Sequence, residues 1–306
     1  MTDKNDQIED NDIPDSPFID PTIHRKKSIM DESLVLTPDG IPMPSLVEVS
    51  ESGTCNRSCS FCPRSGPDYP DIKEFIDPAL VDKLAGQIGE LGFKGLFMFS
   101  GFVEPMVDKN IFNLVKIARD HLPNARIEMV TNGDVLDKDR LLRLFDSGLS
   151  TLLISVYDGP ESAQELEELC RSSGLNDGQF ILRRRYLSVD ENFGINLSNR
   201  AGTMDNAEHN IPSLHEPLDH PCYYPHYTFF MDYLGDVLVC PHDWGKNFIV
   251  GNLKDQDFID VWTAPELIQA RERLAAGNRG MSPCNVCDVK GTLMGLGHAE
   301  KWSENA

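Results

Sequence analysis

A chain of 306 residues has room for one full domain with a sizeable core and a smaller appended one. Its formal charge of −21 excludes the clustered positive surface that nucleic-acid binding needs, and suits a small cationic or neutral substrate. No apolar run nears the roughly 18 residues that span a bilayer, and the acidic N-terminus lacks a secretory pattern, so the expectation is a cytoplasmic protein without nucleic-acid or membrane partners.

Residues 1–44 are rich in Asp, Asn, Pro and Ser and show no sustained hydrophobic period. They read as an acidic, largely disordered arm that carries no chemistry. From Leu46 onward, strand-like runs at 46–50, 96–100, 126–130, 151–156, 180–187 and 194–198 alternate with helical patterns at 78–91, 109–121, 136–145 and 162–172. Such alternation predicts an α/β fold with a parallel sheet of right-handed βα units. Six strands fall short of a closed eight-stranded barrel, which gives a partial (βα)6 barrel over 45–205. Beyond Met204 the pattern changes to loops, a hairpin at 228–231 and 237–240 turning at Leu234, Gly235 and Asp236, and a helix at 265–276. The region 206–306 has few long apolar segments, and a metal cluster would supply the stability it otherwise lacks.

Eight cysteines without an export signal read as metal chemistry before disulfides. Cys55, Cys59 and Cys62 follow the first strand with spacing x3 and x2. Three thiolates this close hold three irons of a [4Fe–4S] cube and leave the fourth iron open. A zinc site is the alternative, but it wants a fourth ligand, and His24 and His121 are remote in sequence. Cys222, Cys240, Cys284 and Cys287 supply four more thiolates, enough to saturate one further cluster. Their spacing alone also suits a structural zinc site. Cys170 is left over, either a buried apolar cysteine or a hydrogen donor.

The Cys-x3-Cys-x2-Cys motif after the first barrel strand resembles the radical S-adenosylmethionine (SAM) superfamily. The resemblance implies that the open iron chelates SAM, and that one electron cleaves the sulfonium to a 5′-deoxyadenosyl radical which abstracts a substrate hydrogen. It also implies cofactor contacts. Ser100, Gly101 and Glu104 resemble the family's Gly-Gly-Glu motif, with Phe102 in place of the second glycine. Asn132 after the third strand and Ser155 in the fourth stand where ribose and carboxylate contacts lie, and Phe61 matches the position near the adenine. Leu197-Ser-Asn-Arg-Ala-Gly202 resembles a segment that faces cofactor and substrate, which implies a cofactor contact for Asn199 and a catalytic place for Arg200. An arginine pKa above about 12 makes it an orienting or carboxylate-binding group before a base, and a surface ion pair is the plain alternative. His226 and His242 flank Cys240 as possible bases, or as partly buried polar residues.

Near the C-terminus, Phe229 to Pro241, Val250-Gly-Asn-Leu253, Trp262 and Cys284-Asn-Val-Cys287 resemble the superfamily's SPASM and twitch extensions, so that the resemblance spans 46–290. Full SPASM domains carry seven cysteines; four imply one auxiliary cluster, and the spacing is similar to that of twitch-type aminocyclitol dehydrogenases. The implied cofactors are SAM and two [4Fe–4S] clusters. The first expected reaction is oxidation of a secondary alcohol of a sugar or aminocyclitol, with the auxiliary cluster accepting an electron. A second is modification of a peptide, although only 54 residues precede Cys55, short of the roughly 80 of a peptide-recognition domain. A third is a redox-sensing module without turnover. A flavodoxin- or ferredoxin-type protein would donate the electron, with Arg183, Arg184 and Arg185 as a docking run or as plain solvated charge.

Overall fold

A computed structural model describes residues 22–186, 197–206 and 214–304. In chain order it forms α1 (Thr22–Glu32), β1 (Leu46–Ser50), β2 (Ser52–Gly53), β3 (Ile72–Phe75), α2 (Pro78–Glu90), β4 (Leu96–Phe99), α3 (Ile111–His121), β5 (Arg126–Thr131), α4 (Lys138–Asp146), β6 (Thr151–Val156), α5 (Pro160–Ser172) and β7 (Phe180–Arg184). After these come α6 (Tyr224–Tyr227), β8 (Thr228–Asp232), β9 (Asp236–Leu238), β10 (Ile249–Asn252), α7 (Phe258–Trp262), α8 (Pro265–Ala275) and α9 (Leu296–Glu304).

One eight-stranded sheet runs in the order β10-β9-β8-β1-β4-β5-β6-β7, and its six strands from β8 to β7 are parallel. Both faces are covered, so β1, β4 and β6 are buried along their whole length. On the outer face Val47, Val49, Phe97, Phe99, Ile127, Met129, Leu152 and Ile154 join one core with the apolar stripe of α2, namely Leu80, Val81, Leu84, Ala85 and Ile88. Strand alternation turns Glu48, Ser50, Met98, Glu128 and Ser155 to the opposite, inner face. The partial α/β barrel is therefore present, with polar groups lining its interior.

Two expectations change. The predicted strand 194–198 lies largely outside the described residues, and Leu197 and Ser198 are not in a strand. The sixth parallel strand is β8, the first arm of the predicted hairpin, which pairs with β1 from Leu46↔Thr228 to Ser50↔Asp232. The C-terminal region thus continues the barrel sheet instead of sitting apart from it. The arm is also more ordered than expected over 22–44. Met30 and Met43 are fully buried, Ile29 packs with Leu46, Leu96 and Met98, and both Nη atoms of Arg25 donate to Glu128 at 2.6 Å. A few apolar side chains and one buried ion pair dock this segment without any periodic run that a sequence scan would find.

In the C-terminal region, Arg271 lies 3.9 Å from the ring centroids of both Trp262 and Trp302 and donates to the carbonyls of Pro225 and Trp262. Trp262 Nε1 in turn donates to Pro42 O at 2.8 Å, which ties α7 to the arm. Among the described residues no helix is long and apolar enough to cross a membrane.

Candidate functional site

The loop carrying Cys55, Cys59 and Cys62 leaves the C-terminal end of β1 and is pinned on both sides by arginines. Arg57 donates to Asp134, after β5, at 2.7 Å and to Asp158, after β6, at 3.0 Å, and stacks over Tyr157. Arg64 holds the other flank through Phe102 O and Gly53 O, both at 3.1 Å, and Asp71 at 2.6 Å. Asn132 Nδ2 adds a 2.7 Å bond to Asn56 Oδ1. The three thiols are partly buried, and burial raises all three pKa values, that of Cys55 to about 11. The Arg57 N–H donates to Cys55 Sγ at 3.4 Å, a bond that favours the thiolate a metal requires.

Glu104 is 2% exposed and cross-links two strand ends. Its Oε1 accepts from Thr131 Oγ1 at 2.6 Å and Met106 N at 3.1 Å, while Oε2, among the described residues, accepts only from Asn132 N at 2.6 Å. One lone pair on Oε2 remains for a cationic ligand. Burial raises its pKa to about 7. Gly101 has φ 96°, and a Cβ there would stand 3.0 Å from the Phe230 ring, so glycine lets the chain turn against β8. Ser100 donates to Glu48 Oε1 at 2.6 Å. Ser155 is buried on β6, and Phe61 packs against Tyr157 with ring centroids 5.4 Å apart. Ser100, Gly101, Glu104, Asn132 and Ser155 thus gather at the ends of adjacent strands around the cysteine loop.

Arg200 sits in a left-handed turn and places its guanidinium 5.9 Å from the Trp244 ring. Burial lowers its pKa, opposed by the nearby Cys62, Tyr224, Tyr157 and Asp288. The side chain therefore lies between the first cysteine loop and the second cysteine group. His242 packs edge-on against Tyr224 at 4.9 Å, and its buried Nδ1 has no partner among the described residues. Burial, then the positive charge of Arg200, lowers its pKa to about 3, so the ring is neutral. His226 is 1% exposed within α6, which makes it a core histidine. Asn199 does not face the barrel strands with its amide: Nδ2 donates to Val286 O at 2.6 Å and Oδ1 accepts from Gly202 N at 3.3 Å. Cys170 is fully buried in the core of α5, as an apolar cysteine would be.

Cys222, Cys240, Cys284 and Cys287 line one pocket together with Tyr224, His242 and Arg279. Burial raises all four thiol pKa values, and proximity to one another raises those of Cys240, Cys284 and Cys287 further. Gly291 passes so close that a Cβ would lie 2.4 Å from Cys222 Sγ, with φ 76°. Arg279, 2% exposed, ties the two walls together through the carbonyls of His220, Pro221, Val289 and Lys290.

Both thiol sets fit iron–sulfur clusters. Among the described residues no three His, Cys, Asp or Glu side chains converge tightly enough for a single ion. The four thiols of the second set line one pocket, and the three of the first lie on one short loop, arrangements that suit a cube of iron and sulfide.

Residues that the sequence reading missed include Arg57, Arg64, Arg279 and Glu48. Glu48 carried the clearest signal, an acid inside the apolar run Leu-Val-Glu-Val. Of the basic run, Arg183 and Arg184 end β7 and Arg185 lies just beyond it. Arg183 pairs in register with Ser155 on the inner face, and Arg184 alone of the three is exposed.

The chain matches the radical SAM superfamily over residues 50–177 and the SPASM iron–sulfur cluster-binding domain over residues 222–288. The S-adenosyl-L-methionine-dependent 2-deoxy-scyllo-inosamine dehydrogenase of Niallia circulans is 29% identical over 245 residues, covering 80% of this chain and 92% of that protein. The crystal structure of BtrN in complex with AdoMet and 2-DOIA superposes with a TM-score of 0.68 at 28% identity, over 82% of this chain and 95% of that one. Streptococcus suis SuiB bound to the precursor peptide SuiA shares the fold, with a TM-score of 0.56 at 15% identity over 81% of this chain and 71% of that one.

Proposed function

From the matches to the radical SAM superfamily and to the SPASM domain, we propose that this chain oxidises a secondary alcohol of an aminocyclitol. Cys55, Cys59 and Cys62 would hold a [4Fe–4S] cluster that with SAM would supply hydrogen-atom abstraction at carbon, and Cys222, Cys240, Cys284 and Cys287 would hold a second that would supply an electron acceptor. The observation that carries the substrate class is Glu48. It lies on the inner barrel face and, among the described residues, accepts only from Ser100, whereas Glu128 is already paired with Arg25 and Arg126. A buried carboxylate with spare acceptor capacity suits an ammonium group. Arg200, across the interior, orients the carbinol oxygen and stabilises negative charge on it. The electron donor in this reading is a flavodoxin- or ferredoxin-type protein. Anaerobic incubation of the reduced enzyme with aminocyclitols should yield ketone and 5′-deoxyadenosine in comparable amounts; cleavage of SAM without ketone would defeat the proposal.

In the same reading Glu104 offers its free Oε2 lone pair to the SAM ammonium. Its pKa of about 7 gives this contact a pH dependence. A raised carboxyl pKa contributes stability at acid pH that is lost as the pH rises through about 7, because the unliganded site disfavours the charge. An ammonium restores that balance and needs the ionised form. SAM affinity, measured by calorimetry on anaerobic protein, should therefore weaken up to tenfold per pH unit below about pH 7. Glu104→Gln should flatten that profile, and an unchanged slope would remove Glu104 from the contact.

A further inference from the structure

The turn that presents Arg200 is fastened to the loop that carries the last two cysteines. Arg200 and Ala201 have φ of 46° and 51°, a left-handed conformation that residues with a Cβ disfavour and that surrounding bonds must hold. Those bonds come from Asn199. Its backbone N–H donates to Asp288 Oδ2 at 2.7 Å, its Nδ2 donates to Val286 O at 2.6 Å, and its Oδ1 accepts from Asp288 N at 3.3 Å. Gly202 completes the contact, since a Cβ there would meet Val286 Cγ2 at 2.8 Å. Val286 and Asp288 are the residues on either side of Cys287, and the Cys287 N–H closes the turn back to Cys284 O at 3.3 Å.

We propose that Asn199 and Asp288 are positioning residues, through which assembly of the four-cysteine centre fixes the turn and aims Arg200 between Cys62 and Trp244. The amide of Asn199 is committed to the cysteine loop, so its part is to couple that loop to the active site instead of touching SAM. A filled four-cysteine pocket immobilises Cys284 and Cys287, and the bonds from Val286 and Asp288 then hold the left-handed pair in place. With that pocket empty the 284–288 loop is free to relax, and the turn loses its anchor. Coupling of this kind makes substrate engagement conditional on a complete auxiliary centre. The inference rests on the reading that Arg200 meets substrate, but its structural half is tested without turnover.

Hydrogen exchange on anaerobically reconstituted, iron-replete protein reads the latch directly. Asp288→Ala should speed exchange in the peptide covering 199–204 at least tenfold and leave β1 and β4 unchanged. Asp288→Asn, which keeps an acceptor for the Asn199 N–H, should restore most of the protection. Asn199→Ala, remote in sequence from every cysteine, should reproduce the effect and serves if Asp288→Ala takes up no iron. Both alanine variants should raise KM for the aminocyclitol at least tenfold while leaving SAM affinity unchanged. Unchanged exchange at 199–204 in both iron-replete alanine variants would overturn the latch, as would an Asp288→Asn protein no better protected than Asp288→Ala. Protection that changes as stated in a protein that forms no ketone would instead overturn the dehydrogenase reading and leave the latch standing.

Discussion

Alanine in place of Cys55, Cys59 or Cys62 should abolish SAM cleavage and lower the iron content of anaerobically prepared protein from about eight to about four per chain. The two thiol sets are built independently, which is why the loss should stop at one cluster. The first loop hangs on Arg57 and Arg64, whose partners lie at the ends of β5 and β6, on Gly53, Phe102 and Asp71. The second pocket is closed by Arg279 through carbonyls on both of its walls. A cube that loses one of three protein ligands is no longer held, whereas Val47, Phe97, Ile127 and Leu152 of the barrel core supply no metal ligand. Cys240→Ala should show the reverse, with about four irons retained at the first loop. It should also cost stability in the C-terminal region, where Cys240 lies two residues past the end of β9. Iron and sulfide analysis with an absorption spectrum decides the matter, and zinc at the first loop, or undiminished iron in Cys59→Ala, would refute the assignment.

The parts of this architecture legible in the sequence are those that depend on local spacing. Cys55, Cys59 and Cys62 declare a three-ligand loop because the residues that hold one cube lie within one turn of chain. The barrel strands show as apolar runs because both faces of a parallel sheet are covered. Pairing at long range leaves no such mark. Thr228-Phe-Phe-Met-Asp232 reads correctly as one arm of a hairpin, yet nothing in it says that its other edge pairs with β1, some 180 residues earlier. Likewise Met30 and Met43 give no period, although each is fully buried. Glu104 and Asn199 were legible as positions and not as contacts. The carboxylate of Glu104 is largely occupied by Thr131, Asn132 and Met106, and the amide of Asn199 by the cysteine loop. The basic run 183–185 shows the converse, where strand alternation turns the adjacent charges of Arg183 and Arg184 to opposite faces.

Glu48→Gln should raise KM for an aminated cyclitol roughly 10- to 100-fold, the equivalent of a charge-assisted hydrogen bond of about 1.5–3 kcal/mol, with little change for an analogue that lacks the amine. An ammonium entering the barrel gives up its water, and only a fixed negative charge offsets that cost. Among the described residues of the inner face, Glu128 already serves Arg25 and Arg126, and Glu48 is held by the neutral hydroxyl of Ser100. Arg200 repels the same ammonium and attracts the carbinol oxygen. The two groups therefore polarise the cavity, and a ring carrying an amine and an alcohol has one favoured orientation, with the amine toward β1 and β4 and the reacting carbon toward Arg200. Selectivity between the aminated and amine-free substrates is the decisive measurement, because a general loss of packing at this position would penalise both alike. Glu48→Gln should also raise the ratio of 5′-deoxyadenosine to ketone, since a ring free to rotate presents the wrong hydrogen. Equal losses for the two substrates, with that ratio unmoved, would show that the amine is met elsewhere.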